Sequence, residues 1–396
     1  MKKILIIALT AVLGFALFVF AKKNFLSPEL RVGCLESEEE ICRDLMALYQ
    51  EENPRTKINL EILERYEYEV AEIWKEKKLD LLFLPEDFRL NSPEKKEFFV
   101  DLSEFTEKEE YLISAAEEEG VYALVLNGSI DLLLANTDLL ESNGLFVPSS
   151  FDELEEVSLA LRSSTDIIPF MLETKAEGEF EIKPFADNIL LNAPNTRFSL
   201  FSDQGEINNG FYSIESLLYI VGEEVRLSPE MRGEMSAMEY FRQNNIAMLP
   251  LRSDALKDVE SIGEAYKISV FPGSDIHNFV TWNSKKRVVL LKSSKNKKEA
   301  ERWMNFLLSS AAQEKLYAQT GDLPACRGVN VKGVIAGLYL YLSEADRCKY
   351  SFFERISEEE EEIIVREVSG ILEETDSMES AFIDKIENAL REVEFN

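Results

Sequence analysis

The sequence holds a single histidine, His277, in 396 residues. A Ser-His-Asp triad would have to be built on that one imidazole. No G-x-S-x-G, H-E-x-x-H, Walker loop or G-x-G-x-x-G occurs anywhere in the chain, so the common hydrolase and nucleotide-binding chemistries lack a motif. Cysteine is scarce as well. Cys34, Cys42, Cys326 and Cys348 contain no C-x-x-C, which argues against a zinc site. No metal and no organic cofactor is expected. Basic residues are in the minority: 43 Lys and Arg face 74 Asp and Glu, for a net charge of −31. Such a surface repels phosphate backbones, so nucleic acid is not an expected partner. Paired carboxylates for glycoside hydrolysis would arise in so acidic a chain by abundance alone and carry no weight. Long linkers and internal repeats are also absent.

What is present is a globular composition, 45% hydrophobic and 30% charged. The length predicts two domains. Without a linker, they are expected to be joined by a chain that crosses between them more than once. The N-terminus carries Lys2 and Lys3, an apolar run from Ile4 to Phe20, and Val19-x-Ala21. That pattern fits a secretory signal cut after Ala21, or an uncleaved anchor, since the run is at the short edge for a span. Either way the expected location is extracytoplasmic, with membrane contact only through residues 1–21. Export would permit disulfides, and the sequence neighbours pair as Cys34–Cys42 and Cys326–Cys348, although four buried free thiols remain an alternative.

Patterning along the chain predicts an α/β fold. Leu30–Leu35 reads as a strand, and Ile41, Leu45, Leu48 and Tyr49 recur at helical spacing. Lys57–Leu63 alternates like a strand, and Leu79–Leu84 is an almost unbroken apolar run suited to a strand buried on both faces. Val121–Leu126 and Ile130–Ala135 read as strands on either side of an Asn127-Gly128 turn signal. Ile246–Leu251, Lys267–Phe271 and Arg287–Leu291 are further strands. The C-terminal third is helical over 297–308, 311–320, 332–342, 358–373 and 377–393. The acidic run Glu358–Glu362 follows Ser357 and suits the first turn of a helix. In KSSKNKKEAERWMNFLL, Asn296 and Glu299 predict a capping box ahead of the apolar face Ala300, Trp303, Met304, Leu307 and Leu308.

Four segments in order resemble a known family. They are VYALVLNGSIDLLLANTDLLESNGLFVPSSFDELEEV from Val121, MEYFRQNNIAM from Met238, YKISVFPG from Tyr266, and VVLLKSSKNKKEAERWMNFLLSSAAQEKLYAQTGDLPA from Val288. Together they are similar to the extracellular solute-binding proteins of ATP-binding-cassette importers, in the carbohydrate-binding group that includes maltose-binding protein. The last segment carries most weight, through its long S-K-N-K-x-x-A…F-L-x-S…G-x-L-P-A pattern. The resemblance implies two α/β lobes, each a mixed sheet flanked by helices, with a ligand cleft between them. It divides the chain into 30–125 with 268–312 as the N-lobe and 126–267 with 313–396 as the C-lobe. It implies a monomeric, non-enzymatic receptor that closes on a small polar ligand, an oligosaccharide, and delivers it to a permease.

The chain departs from the family where sugar-stacking rings usually stand. Leu134-Ala135-Asn136 replaces a Tyr-containing motif, and no Trp follows Ala247-Met248. A second reading is therefore kept, in which the same scaffold serves as a membrane-anchored sensor or interaction protein with a degenerate sugar site. The candidate ligand residues are Trp282 as a loop platform, Glu36 and Ser37 after the first strand, Asp87 and Phe88 after the third, Asn127 near the crossing, Arg252 after a strand, and Tyr212 as a ring of the second lobe.

Overall fold

Three parallel strands begin the sheet. β1 (Glu29–Leu35) pairs with β2 (Lys57–Leu63) on one side and β3 (Leu81–Leu84) on the other. The predicted apolar run forms β3, buried at all four positions as a strand covered on both faces must be. In this computed structural model the described residues are 29–88, 90, 97–108, 110–113, 120–164, 166–171, 179–193, 199–202, 204–221, 237–243, 246–258, 266–274, 279–344, 347–373 and 382–394. The N-terminal segment 1–21 and His277 lie outside them.

Two long strands carry the sheet from one half of the molecule to the other. The two strands expected around Asn127-Gly128 are one, β4 (Leu124–Asn136), buried along its whole length. The dipeptide marks a β-bulge instead of a turn, with register shifts against β8 (Val280–Leu290) between Val125 and Gly128. β8 lies antiparallel to β3 at one end and to β4 in the middle. Beyond the bulge, β4 pairs with β6 (Ile246–Arg252) through Asp131–Ala135 and with β7 (Tyr266–Val270) through Leu132–Asn136. β5 (Ile168–Phe170) closes that half, so the order is β2-β1-β3-β8-β4-β6-β5 in one mixed sheet.

Helices cover both faces. The helix Glu39–Glu52 turns Ile41, Cys42, Leu45, Met46 and Tyr49 inward. Tyr49 meets Trp303 and Phe306 of the helix Lys297–Leu307 edge-on, at 5.0 and 5.1 Å between ring centres. In the other half, the helices Phe151–Ser164, Glu179–Leu191, Gly210–Val221, Glu358–Glu373 and Phe382–Glu394 share a core containing Leu161, Phe185, Phe211, Ile364 and Ile386. The helix Ser310–Thr320 and the residues after it return to the first half: the Leu112 amide donates to Ala325 O (2.8 Å), and Gln319 donates to Asp44 (2.7 Å). No helix among the described residues is long and apolar enough to cross a membrane.

Two helix starts contrast. Ser357 and Glu360 form the reciprocal box expected of S-x-x-E, with Glu360 N to Ser357 Oγ at 3.2 Å and Ser357 N to Glu360 Oε2 at 2.6 Å. The box expected at Asn296 and Glu299 is not made. Asn296 occupies the N-cap position but has no side-chain capping bond, and its amide donates to Glu29 O at 2.8 Å. Glu299 is buried and accepts from Thr56 Oγ1 (2.5 Å) and Tyr49 Oη (3.0 Å), so it ties this helix to the one at Glu39–Glu52. Those hydrogen bonds, with Arg302, hold its carboxyl below the usual range against the opposing effect of burial, the largest single influence on it.

Candidate ligand cleft

A cleft of about 740 Å³ opens where the two halves meet. Its walls come from the ends of β1 and β3 on one side and from the end of β6, the helix Glu179–Leu191 and the 350s on the other. The polar middle of β8, Asn283 to Lys286, forms the floor. Such a site draws on segments far apart in sequence, as the crossing strands require.

The lining is charged. Five cationic and six acidic side chains border the cleft, and among its described lining residues Phe353 is the one aromatic ring. Most of the charges are arranged in pairs. Lys286 Nζ lies 3.0 Å from Glu38 Oε1, Lys183 Nζ lies 2.9 Å from Glu361, and Arg65 pairs with Asp87. Lys285 Nζ reaches Glu86 (2.6 Å) in the β3 half and Asp254 (3.2 Å) after β6, so one ammonium bridges the two halves. Arg287 is buried and donates to the carbonyls of Pro85 (3.0 Å), Glu86 (2.8 Å) and Phe88 (2.8 Å). It fixes the loop that carries Glu86 and Asp87.

Two buried carboxyls lie behind the floor. Asp131 accepts from Asn188 (2.7 Å) and Asn283 (2.8 Å), and burial together with nearby Asp187 pushes it well above the usual carboxylate range. Asp187 accepts from Ser351 Oγ and Phe352 N, both at 2.6 Å. Burial raises it to about 7 in spite of those two bonds. Among the described residues no group of three or more His, Cys, Asp or Glu is placed to hold a metal ion.

The predicted site residues divide. Ser37, Asp87 and Arg252 line the cleft. Asn127 is fully buried just behind it, giving its amide to Asp322 (3.2 Å) and Thr320 (3.1 Å) and accepting from Lys286 N (3.0 Å). Trp282 is not a loop platform. It lies within β8 at 0% exposure, against Gly128, because β8 begins seven residues earlier than its apolar end implied. Phe88 turns into the core beside Tyr68 (6.4 Å between ring centres), and Tyr212 sits exposed on its helix away from the cleft. Glu36 is exposed on the first turn after β1, and Glu38, two residues on, is the acid that reaches the cleft. The paired disulfides are not formed: all four cysteines are buried free thiols. Cys42 contacts Cys34, and that contact, then burial, pushes its thiol well above the ordinary value. Sequence reasoning missed Glu38, Asn283 to Lys286, Asp322, Glu354 and Glu361. The one legible signal was the polar run Asn283-Ser284-Lys285-Lys286-Arg287 inside an otherwise apolar strand.

No protein-family model matches the sequence, and no curated protein matches it either. Solved structures do match. The bacterial solute receptor AcbH, whose substrate preference is for β-D-galactopyranose, superposes with a TM-score of 0.70 at 10% identity, over 92% of this chain and 98% of that one. A family 1 extracellular solute-binding protein from Bifidobacterium longum subsp. infantis gives 0.69 at 11%, over 93% and 100%. The sugar-binding protein MalE from Xanthomonas citri gives 0.68 at 14%, over 93% and 98%. The chain has the two-lobed solute-binding-protein fold. In this fold the cleft described above lies between the lobes, and the crossing strands β4 and β8 connect them. The fold by itself does not fix the ligand.

Proposed function

We propose that this protein is an extracytoplasmic receptor that captures a small polar solute by closing two lobes on it and passes it to an ATP-binding-cassette permease. The observation that carries the reading is the cleft between the lobes, about 740 Å³ and floored by a crossing strand. Clefts of this size between lobes are favoured ligand sites, and hinge closure about a few crossing segments is the motion such an arrangement supports. The lobes are taken as 30–125 with 268–312 and 126–267 with 313–396, except that the helix Ser310–Thr320 packs against the first lobe; the signal or anchor of residues 1–21 places both outside the cytoplasm, and the receptor acts as a monomer. Solute receptors with this fold include RafE, solved with raffinose, and AcbH, which prefers galactopyranose, so a carbohydrate-like solute is the first class to examine. Binding and not catalysis is the reading, since the neighbours are named as receptors and binding proteins.

The test is a thermal-shift screen of the chain against neutral sugars, amino sugars, amino acids and polyamines. A true ligand at a hundredfold excess over Kd adds about 2.7 kcal/mol to stability. A clear upward shift with one class supports the receptor reading, and no shift with any class contradicts it. The scarcity of rings in the cleft favours a second reading, an anchored sensor or interaction protein with a degenerate sugar site, and that reading predicts the flat screen.

A further inference from the structure

Among the described residues the cleft is lined by six acids against five cations. Arg65, Lys183, Lys285 and Lys286 each already have a carboxylate partner. Arg252 stands close enough to Asp131 to draw its buried carboxyl down. Three lining carboxylates are not matched in the same way: Glu38, Asp322, and Glu354, which accepts from Ser284 N (2.7 Å) and Ser284 Oγ (3.0 Å). Glu38 is 7% exposed, and while its Oε1 takes Lys286, its Oε2 is buried with no partner. Asp322 takes its hydrogen bonds from neutral groups, the Asn127 amide (3.2 Å) and the Thr320 hydroxyl. Glu38 and Asp322 are joined through one chain of contacts: Glu38 to Lys286, Lys286 N to Asn127 Oδ1 (3.0 Å), and Asn127 Nδ2 to Asp322. Both border the cleft.

A buried carboxylate oxygen without a donor is costly, and a charged donor supplied by a ligand would remove that cost. We infer that the cleft takes a ligand bearing a protonated amine, an amino sugar or a short polyamine, whose ammonium is received by Glu38 Oε2, with Asp322 bordering the same cleft. This rests on the receptor reading and narrows its ligand. An acidic ligand would have to break an existing ion pair to reach Arg65, Lys183, Lys285 or Lys286. Among the described lining residues a neutral oligosaccharide would find one ring, Phe353, where sugar faces need apolar cover. The net charge of −31 also raises the local concentration of cations.

The experiment is isothermal titration of the full chain with glucosamine, N-acetylglucosamine, spermidine, raffinose and maltotriose, at low and near-physiological salt. The expected result is binding of glucosamine or spermidine that weakens with salt, with no binding of N-acetylglucosamine, whose nitrogen carries no charge. Glucosamine against spermidine separates the two sources of the amine. Glu38→Gln is expected to lower the affinity about tenfold or more, the loss that follows removal of a charged hydrogen bond. Asp322→Asn gives an independent arm if Glu38→Gln does not fold, and it too is expected to weaken amine binding. Binding of raffinose or maltotriose without amines, or amine affinity unchanged in the folded variants, overturns the inference and leaves the receptor reading standing. No binding by any probe overturns the inference, and a flat result in the wider thermal-shift screen would then remove the receptor reading separately.

Discussion

Gly128 has no room for a side chain. A Cβ there would lie 2.3 Å from Trp282 Nε1 and 2.4 Å from the Asn283 carbonyl, and the second neighbour is backbone that cannot swing away. Gly128→Ala is therefore expected to cost about 1–3 kcal/mol as overpacking at the bulge, read as a lower urea midpoint. An unchanged midpoint would mean the strands part more easily here than their packing implies. Asp187 makes a prediction of a different kind. Its carboxyl is raised to about 7 by burial, with Glu354 and Glu361 adding to the rise and Ser351 and Phe352 opposing it. A carboxyl raised in the folded state favours folding at low pH. Its contribution is fully present below the unfolded value near 4 and is lost as pH rises through about 7. Asp187→Asn should thus gain stability relative to the parent between about pH 4 and 7, in parallel denaturation curves. A difference that stays constant across that window would show that Asp187 is ionised throughout. Neither residue announced its role in the sequence. Gly128 sat in an Asn-Gly pair that ordinarily marks a turn, and Asp187 was one acid among 74.

At the scale of elements, periodicity was a good guide to helices and to strands buried on both faces. The helix Glu358–Glu373 matches its predicted range, and Ser357 caps it as its S-x-x-E pattern requires. β8 was less legible. Only Arg287 to Leu291 reads as a strand, because the polar residues before it serve the cleft and break the apolar pattern. Trp282 was misplaced for the same reason: polar neighbours made a core ring look like a loop ring. Asn296 and Glu299 show the reverse error. Their spacing satisfies a capping box, but tertiary partners at Glu29, Tyr49 and Thr56 took both side chains. Arg287 tests the element account directly. It joins β8 to the loop after β3 through three carbonyls, so Arg287→Ala is expected to lose at least about 2 kcal/mol and to flatten any ligand-induced thermal shift. Full retention of the shift would show that the loop is held from elsewhere.

The molecule as a whole is two packed halves sharing two strands, with a charged cleft at the crossing. The two-lobed fold was legible from four segments in the right order. The chemistry of the cleft was not, because its walls combine Glu38, from the beginning of the sheet, with Asp322 and Glu361 from the far end of the chain, brought together across β4 and β8. The bridge from Lys285 to both Glu86 and Asp254 crosses between the halves at the floor, where a change in lobe angle would first be felt. The proposed function requires the halves to close on a small polar solute. Small-angle X-ray scattering of the chain, titrated with whichever probe gives the largest thermal shift, tests it most directly. Closure predicts a saturable fall in the radius of gyration that follows the same binding curve as the thermal shift. A saturating thermal shift with an unchanged radius would contradict closure.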